Sequence, residues 1–576
     1  NPYLKADLIF GLTSDKVTRE RVFLPNAGIY HTALASGEIT NQSQQLRNSF
    51  SLVNTEAVLS YTRNFDNLHD LTARLGSRIL NGKNELDWGK AYNTSSDEMQ
   101  TLGDGRNTLA QVGGMLGSWT SISNYLNVEY GYSNRYFLSL NAALDGSSRF
   151  GKNADGIRIS NNVFGLFPSL NGAWIMSAEE FMADQNFFDL IKVRAGYSVS
   201  GNDDIGNYSA RYYYEPQVLL GAYGLVRANI PNDQLKWETN RKATVGFDFA
   251  MFRERLNLSI DLYNSTTHDL IGINSITPAT GMSISLSNDG SLRNRGIDVN
   301  INGRIIDNKD FKWDLGLNIS HYKNTLLAIS NNEKITQAAN GYIISKAGAP
   351  VAQFYGYQTD GILNSTDEAT EAGLSVQKSD GTLIPFTAGD VRFVDRDDNN
   401  IINEKDMTVI GDPNPDVFGS LNSQITWKRF SMNAVFTYSV GGDVYNLMRS
   451  EVESMRNTDN QTIAAQYRWK TNGQETLVPK AVWGDPMQNS RFSDRWIEDG
   501  SYLRLKSLTF AYDIPVKTAI LNNLQVYITA NNMLTFTNYL GYDPEFSTSQ
   551  SPLFAGIDSG VSPQPRTLLL GVKLGL

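Results

Sequence analysis

Apolar and polar residues alternate with a period of two along many segments of this chain. Near the C-terminus, one face of the segment 567–576 carries only apolar side chains: Leu568, Leu570, Val572, Leu574 and Leu576. The opposite face carries mostly small or polar residues: Thr567, Gly571, Lys573 and Gly575. Because successive side chains of a strand point to opposite faces, this pattern predicts a β-strand with one apolar face.

The same period recurs far from the C-terminus. In the segment 311–320, Phe311, Trp313 and Leu315 alternate with Lys312 and Asp314. Further apolar series are Tyr136, Leu138, Leu140, Ala142 and Leu144; Leu256, Leu258, Ile260 and Leu262; Phe430, Met432, Ala434 and Phe436; and Leu524, Val526, Ile528 and Ala530. Counting such segments predicts about 16 strands.

Strand length and the connections between strands indicate where this sheet lies. Several predicted strands run about 10 to 14 residues, which is the length a tilted strand needs to cross a bilayer. Tight turns are predicted at 63–69, 133–135, 252–255 and 428–429, and long segments at 83–118, 324–415 and 442–500. Soluble β-sandwiches also alternate, but short turns on one rim and long loops on the other favour an outer-membrane barrel. We therefore expect an all-β fold, a transmembrane antiparallel β-barrel with long extracellular loops.

Composition and the absence of catalytic motifs limit the classes of function that this chain can have. A net charge of −10 leaves no basic face for nucleic acid, and the absence of cysteine excludes disulfides and thiolate metal sites. The four histidines, His31, His69, His268 and His321, are scattered, and no hydrolase, zinc-protease or phosphate-loop motif is present. We expect a protein that is not an enzyme.

Aromatic residues mark two further features. Those near predicted strand ends suit the membrane–water interface, although some are expected to anchor loops instead: Trp174, Trp237, Trp313, Trp427, Tyr502 and Tyr512. Aromatic clusters at 212–214, 354–357 and 539–542 either stack on sugar rings, contact peptide side chains or pack within the loops, and packing is the more common role.

A run of Asp and Asn residues in the second long segment has the spacing of a calcium loop. Oxygen donors stand at loop positions 1, 3, 5, 7, 9 and 12, where position 7 offers its backbone carbonyl: Asp395, Asp397, Asn399, Ile401, Asn403 and Asp406. Asn400 stands at position 6, where the loop needs a residue that tolerates a left-handed conformation. The alternative is an Asx-rich turn without metal. A bound Ca²⁺ would hold the loop together and would not act in catalysis.

Several short blocks together resemble the SusC/RagA-like TonB-dependent outer-membrane transporters of Bacteroidetes. The blocks in the first half are LDGSSRFGKN at 144–153, GLFPSL at 165–170, GNDDIGNY at 201–208 and LKWETN at 235–240. Those in the second half are FYGY at 354–357, GDVRF at 389–393, VIGDPNP at 409–415, IEDGSYLRLK at 497–506, GYDPE at 541–545 and PQPRT at 563–567. The resemblance covers nearly the whole chain. One departure is Leu576, which stands where this family usually ends in Phe.

The resemblance implies a bacterial outer-membrane location and a barrel of about 22 strands that is blocked by an N-terminal plug. It also implies a SusD-like surface lipoprotein as partner, TonB as the source of energy, and import of oligosaccharides or oligopeptides. About 16 strands cannot close such a barrel, so residues 1–576 are expected to be its C-terminal portion, with the plug and first strands outside them. The alternatives are a scaffolding subunit of an outer-membrane assembly or secretion complex, and a soluble surface β protein.

Overall fold

The structure is a computed structural model. It describes residues 3–575 except 26–32, 35, 36, 39, 40, 105–109, 220, 221, 278, 280, 283, 379, 517–520 and 550. His31 and Leu576, both named in the sequence patterns above, lie outside the described residues. No helix of the described residues is long and apolar enough to cross a membrane.

Sixteen long strands run through the described residues, which is the number the alternation predicts. They are β1 (Leu4–Leu24), β2 (Gln42–Phe65), β3 (His69–Tyr92), β4 (Gln111–Tyr132), β5 (Tyr136–Ser147), β6 (Asn162–Ile175), β7 (Phe188–Asn202), β8 (Glu238–Met251), β9 (Leu256–Ser275), β10 (Ile284–Asp307), β11 (Phe311–Ala328), β12 (Pro415–Trp427), β13 (Phe430–Gly441), β14 (Tyr502–Ile514), β15 (Asn523–Thr537) and β16 (Thr567–Gly575). Several are longer than predicted, because they continue through polar, glycine-containing sequence that lacks a clear apolar period.

The remaining elements are short and lie mostly in the long connections. Two α-helices, α1 (Thr366–Ala372) and α2 (Leu447–Val452), are accompanied by 3₁₀ turns at Leu102–Asp104, Met176–Ala178, Glu180–Met182, Glu404–Asp406, Ile463–Tyr467, Asp494–Trp496 and Pro552–Phe554. Short strands are Ala33–Leu34, Gly37–Glu38, Ile157–Ile159, Tyr214–Leu219, Ala222–Arg227, Glu333–Ala338, Gly341–Lys346, Gln353–Tyr357, Thr359–Ile362, Ser375–Gln377, Leu383–Pro385, Val391–Phe393, Ile401–Ile402, Met407–Gly411, Asp443–Asn446, Ile497–Asp499 and Ile557–Asp558.

Residue contacts divide the chain into two units. The first consists of Asn1–Trp174, Gly196–Lys242 and Thr267–Asn288, and the second of Ile175–Ala195, Ala243–Thr266 and Asp289–Leu576. In the first unit, β1 to β6 pair in chain order as an antiparallel ladder. In the second unit, β10 to β16 likewise pair in chain order as an antiparallel ladder. The pairing of β10 with β11 extends over Ser291–Asp307 of β10.

Connections alternate in length, as the sequence predicts. The four predicted tight turns join adjacent strands, and Asp66, Asn67, Ser133, Asn134 and Lys428 have the positive φ angles that tight hairpins require. The predicted long segment 83–118 is shorter in the structure, because β3 continues to Tyr92 and β4 begins at Gln111. The other two long segments occupy 329–414 and 442–501.

Buried apolar cores lie in the connections and at the strand ends beside them. In the second unit, one cluster is built from Leu363, Val376, Val391, Phe393 and Ile402 with their neighbours, and another surrounds Phe354, Tyr445 and Trp496. In the first unit, a smaller cluster contains Phe150, Ala210 and Leu235. The long connections are therefore folded around buried side chains, and those of the second unit share their clusters.

Candidate functional site

One face of the strands presents apolar side chains to the surroundings. Leu570 on β16 is 85% exposed, and Ile528, its partner on β15, is exposed on the same face. The opposite face is polar: the hydroxyls of Thr509 and Thr529, on adjacent strands, lie 2.9 Å apart. Exposed apolar side chains on one face and hydrogen-bonded polar ones on the other are the arrangement of a membrane-spanning β-sheet.

Aromatic rings gather where tight turns join the strands. In the first unit, Tyr136 contacts both Tyr132, at a centroid distance of 6.3 Å, and Trp174, at 6.4 Å. In the second unit, Phe430 contacts Trp427 and Tyr512 in the same way, at 6.0 and 4.5 Å. These rings occupy the positions at which amphipathic aromatics meet lipid headgroups. Among the predicted interface residues, Trp174, Trp427 and Tyr512 belong to these groups.

Trp237 has a different role from the interface position suggested by its place in the sequence. Its ring packs 4.6 Å from Phe150 and 5.4 Å from Phe167, against the small core of the first unit. Trp313 donates from its indole nitrogen to Ser423, and Tyr502 lies beneath the Arg504 guanidinium. Contact partners far along the chain decide the roles of Trp237 and Trp313, and a strand-end position alone does not reveal them.

Three of the predicted calcium ligands come together. The carboxylates of Asp395, Asp397 and Asp406 each offer an oxygen within 4.8 Å of the other two. The amide of Asn400 donates to Asp395 Oδ2, at 2.5 Å, while Asp395 Oδ1 is buried without a hydrogen-bond partner. Asn400 has the predicted left-handed conformation, with φ of 60°.

The other three predicted ligands hold the loop by local hydrogen bonds. Asn399 Oδ1 accepts from the amide of Ile401, whose carbonyl accepts from Asn403 Nδ2. Asn403 caps the 3₁₀ turn Glu404–Asp406 in a reciprocal capping box with Asp406, whose side chain is fully buried. An oxygen that accepts one hydrogen bond retains a lone pair, so these oxygens can still act as ligands.

The loop is anchored on a folded core. Directly after Asn400, the strand Ile401–Ile402 pairs in parallel with Ser375–Val376, and Ile402 is buried in the apolar cluster. Nearby, the Arg491 guanidinium lies 4.5 Å from the centroid of the Phe393 ring and 4.8 Å from that of Tyr357. Burial lowers the pKa of Arg491. The carboxylates therefore converge on a scaffold that fixes their backbone.

The three aromatic clusters separate into exposed and buried members. Tyr212 and Tyr542 are exposed. Phe354 is buried in a core, and Tyr539 is buried with its hydroxyl donating to Asp558. Burial and this hydrogen bond raise the pKa of Tyr539. Packing is thus the role of Phe354 and Tyr539, whereas Tyr212 and Tyr542 are largely exposed.

A cavity of about 800 Å³ in the first unit was not foreseen from the sequence. Residues from five separated stretches line it, including Phe150, Lys152, Phe164, Arg211, Tyr212 and Asp233. Arg211 donates to the carbonyl of Ser148 at 3.0 Å, which fixes one wall. The mixture of aromatic, cationic and hydrogen-bonding groups suits a polar ligand with an apolar face.

The histidines do not form a site within the described residues. His69 contacts Tyr132 at a centroid distance of 4.9 Å and hydrogen-bonds the Tyr130 hydroxyl. The Nδ1 atom of His321 hydrogen-bonds the carbonyl of Asp416 at 2.6 Å. Both rings therefore have structural contacts on their strands.

Comparison with known proteins gives one consistent relationship. Residues 24–533 match the family described as TonB dependent receptor-like, beta-barrel. The TonB-dependent receptor P3 of Formosa agariphila is 31% identical over 589 residues, covering 98% of this chain and 56% of its own length. The TonB-dependent receptor SusC of Bacteroides thetaiotaomicron is 28% identical over 480 residues, covering 79% of this chain and 44% of its own length. The chain thus spans about half the length of these relatives.

A solved structure shows the same fold. The structure of the RagAB peptide transporter matches with a TM-score of 0.80 and 23% sequence identity, over 99% of this chain and 60% of that chain. The all-β barrel fold and the resemblance found in the sequence blocks are both confirmed.

Proposed function

The chain belongs to the family of TonB-dependent receptor β-barrels and is an outer-membrane protein, and from this membership we propose that the full-length protein imports oligosaccharides or oligopeptides. In this proposal a SusD-like surface lipoprotein is its partner and TonB supplies the energy. The similarity to the TonB-dependent receptor SusC and to the RagAB peptide transporter supports this function. Because the chain spans only part of its relatives, the activity belongs to the whole protein.

The observation that best supports import is the asymmetry of the connections. The two long connections 329–414 and 442–501 are folded around buried clusters to which both contribute, whereas the opposite strand ends are joined by tight turns such as Lys428–Arg429. In outer-membrane barrels the long connections face the exterior. Folded connections there offer fixed surfaces for a nutrient and a surface lipoprotein.

The exposed side chains beside the cavity suit both oligosaccharides and oligopeptides. Tyr212 presents its ring beside the 800 Å³ cavity, and the guanidinium of Arg227 lies 4.9 Å from the centroid of that ring. Aromatic rings stack on sugars and on peptide side chains, and guanidinium groups bind carboxylates. An acidic oligosaccharide or a peptide carboxylate therefore fits this region.

Growth of a deletion strain tests the proposal. We expect loss of growth on one class of oligomer as limiting nutrient, with normal growth on the corresponding monomer, and restoration by the full-length wild-type gene. Removal of the TonB-interacting segment from that gene should abolish restoration. Normal growth on every oligomer, together with loss of a larger envelope complex, would instead identify a scaffolding subunit.

A matched pair of variants tests the site. Tyr212→Ala should raise the substrate concentration needed for half-maximal growth, whereas Tyr467→Ala removes an equally exposed ring from a different connection and should not. Equal behaviour of the two variants would remove Tyr212 from the nutrient path.

We further propose that the loop Asp395–Asp406 binds Ca²⁺ and thereby holds the connection 329–414 in its folded form. Two observations support this role: the buried Asp395 Oδ1 atom lacks a hydrogen-bond partner, and the Asp395 carboxylate converges with those of Asp397 and Asp406. A buried acceptor without a partner is costly, and a divalent cation with oxygen ligands would satisfy it.

Calorimetric titration of the full-length protein in detergent with Ca²⁺ tests this second proposal. The double variant D395N/D397N should lose one binding event that the wild type shows. Asp398→Asn is the matched control, because Asp398 is exposed in the same loop and is not one of the converging carboxylates. Unchanged Ca²⁺ binding by D395N/D397N would contradict the proposal.

A further inference from the structure

A shallow apolar groove lies on the exposed face of β12, β13 and β14, beside the turn Lys428–Arg429. Its volume is about 290 Å³. Ile425 and Met432 are half-buried and form its floor, while the exposed side chains of Trp427, Phe430 and Phe510 form its walls.

The register of the strands creates this groove. Ile425 pairs with Met432, which in turn pairs with Phe510, so the three side chains share one face. Trp427 pairs with Phe430 directly at the turn. Ile425 and Met432 therefore lie two residues farther from the turn than the larger Trp427 and Phe430. Because these two side chains are smaller, they leave a channel that runs from the turn along the strands.

The mouth of the groove carries aromatic rings and two cations. The Trp427 and Phe430 rings are stacked, and Lys428 Nζ lies 6.0 Å from the Trp427 centroid. Arg429 is exposed next to it. Among the described residues, neither cation forms an ion pair.

Two acidic residues flank the turn, and both contact it through the backbone. Lys428 N donates to the carbonyl of Asp310, and Asp513 N donates to the carbonyl of Arg429. The Asp513 carboxylate accepts from Gln525 Nε2 at 2.8 Å. The two cationic side chains thus remain available to an external anion.

We infer that this groove binds one anionic phospholipid, with an acyl chain between Trp427, Phe430 and Phe510 and the headgroup phosphate at Lys428 and Arg429. An acyl chain is the occupant because this face contacts the hydrocarbon of the bilayer, which contains no competing water. Moving a chain from bulk lipid into the groove gives little hydrophobic gain, since both surroundings are apolar. Selectivity must therefore come from the charge of the headgroup, and the two unpaired cations supply it. This inference does not depend on the imported nutrient.

Native mass spectrometry of the full-length protein, released from nanodiscs of equal phosphatidylglycerol and phosphatidylcholine, tests the site. We expect one phosphatidylglycerol molecule to remain bound in preference to phosphatidylcholine. The variant K428N/R429Q should lower this preference by about fivefold for each cation removed. Asn is chosen at position 428 because that residue has φ of 54°.

A second pair of variants tests the apolar groove without changing the charges of Lys428 and Arg429. Ile425→Trp fills the groove and should reduce retention of the lipid, whereas Leu570→Trp adds the same ring to the same apolar face on β16 and should not. The inference is overturned if the wild type shows no preference for phosphatidylglycerol, if K428N/R429Q retains it as the wild type does, or if the two tryptophan variants behave alike.

Discussion

Arg504 and Asp543 form an ion pair that is closed to solvent, with only 2% of Arg504 and 6% of Asp543 exposed. Arg504 lies near the start of β14, and Asp543 lies in the connection between β15 and β16. The same carboxylate accepts from the backbone amides of Glu545 and Gln564, each at 2.9 Å. This pair therefore fixes the connection 538–566 against a strand of the sheet.

Removing one partner should be costly. Arg504→Met leaves the Asp543 charge buried and unpaired, and we expect it to destabilise the folded connection by about 3–5 kcal/mol. The measurement is the rate of limited proteolysis within 538–566 in the full-length protein. The control is Lys506→Met, which breaks a more exposed pair with Glu545 and should cost less than about 1 kcal/mol. Equal proteolysis of the two variants would show that Arg504 does not secure this connection.

Acid should release the same connection. Burial alone would raise the pKa of Asp543, but hydrogen bonds from Arg504 and from two backbone amides outweigh it and lower the pKa below its usual value. The unfolded carboxyl titrates near pH 4, so the stabilisation is complete above about pH 4 and is lost as the pH falls through the lower folded pKa. Hydrogen exchange of 538–566, corrected for intrinsic rates, should rise over that range. Asp543→Asn should remove this pH dependence, and an unchanged dependence in that variant would refute the assignment.

The left-handed residue of the Asp/Asn loop should discriminate between substitutions. Asn400→Val places a β-branched side chain at φ of 60°, which should cost about 1–2 kcal/mol, whereas Asn400→Gly should be tolerated. Trypsin cleavage after Arg396 and Lys405, measured on the full-length protein, reports opening of the loop. Cleavage of Asn400→Val should accelerate several-fold over both the wild type and Asn400→Gly. If Asn400→Gly opens the loop as much as Asn400→Val, backbone strain is not the cause.

Adjacent residues of β16 should respond oppositely to a charge. Leu570 pairs with Ile528 on the apolar face, and Leu569 pairs with Thr529 on the polar face. Leu570→Arg should destabilise the folded barrel by about 2–4 kcal/mol if the residue lies near the bilayer midplane. Leu569→Arg should be nearly neutral. The fraction of full-length protein that stays folded in outer-membrane extracts, judged by its heat-dependent electrophoretic mobility, measures both. A stronger defect in Leu569→Arg would reverse the assignment of the two faces.

The alternation of side chains predicted the β-strand content because the tendency of a segment to form an amphipathic strand is visible in its local sequence. It gave the number of strands and the four tight turns. The boundaries of β1 to β4 were less accurate, since residues such as Gly113 and Gly114 pair in a strand without contributing to an apolar period. The strands with a clear apolar period, such as 311–320 and 567–576, could be located from their own residues.

The sites were predictable only where they are local. Asp395, Asp397 and Asp406 lie within one loop, so their spacing revealed that they converge. Arg504 and Asp543 are distant in sequence, and the cavity beside Tyr212 is assembled from separate stretches. Their formation depends on strand register and on the path of the connections, which no local pattern specifies.

The folded connection 329–414 also constrains the order of biogenesis. The connection joins β11 to β12, which pair with each other starting at Phe311 and Trp427. Its core residues Leu363, Val391 and Phe393 therefore have to cross the membrane before this pairing is complete. During that passage the apolar side chains are uncovered and prone to aggregate. We therefore expect this segment to be exported as an unfolded polypeptide protected by chaperones, with its core closing only on the far side of the membrane.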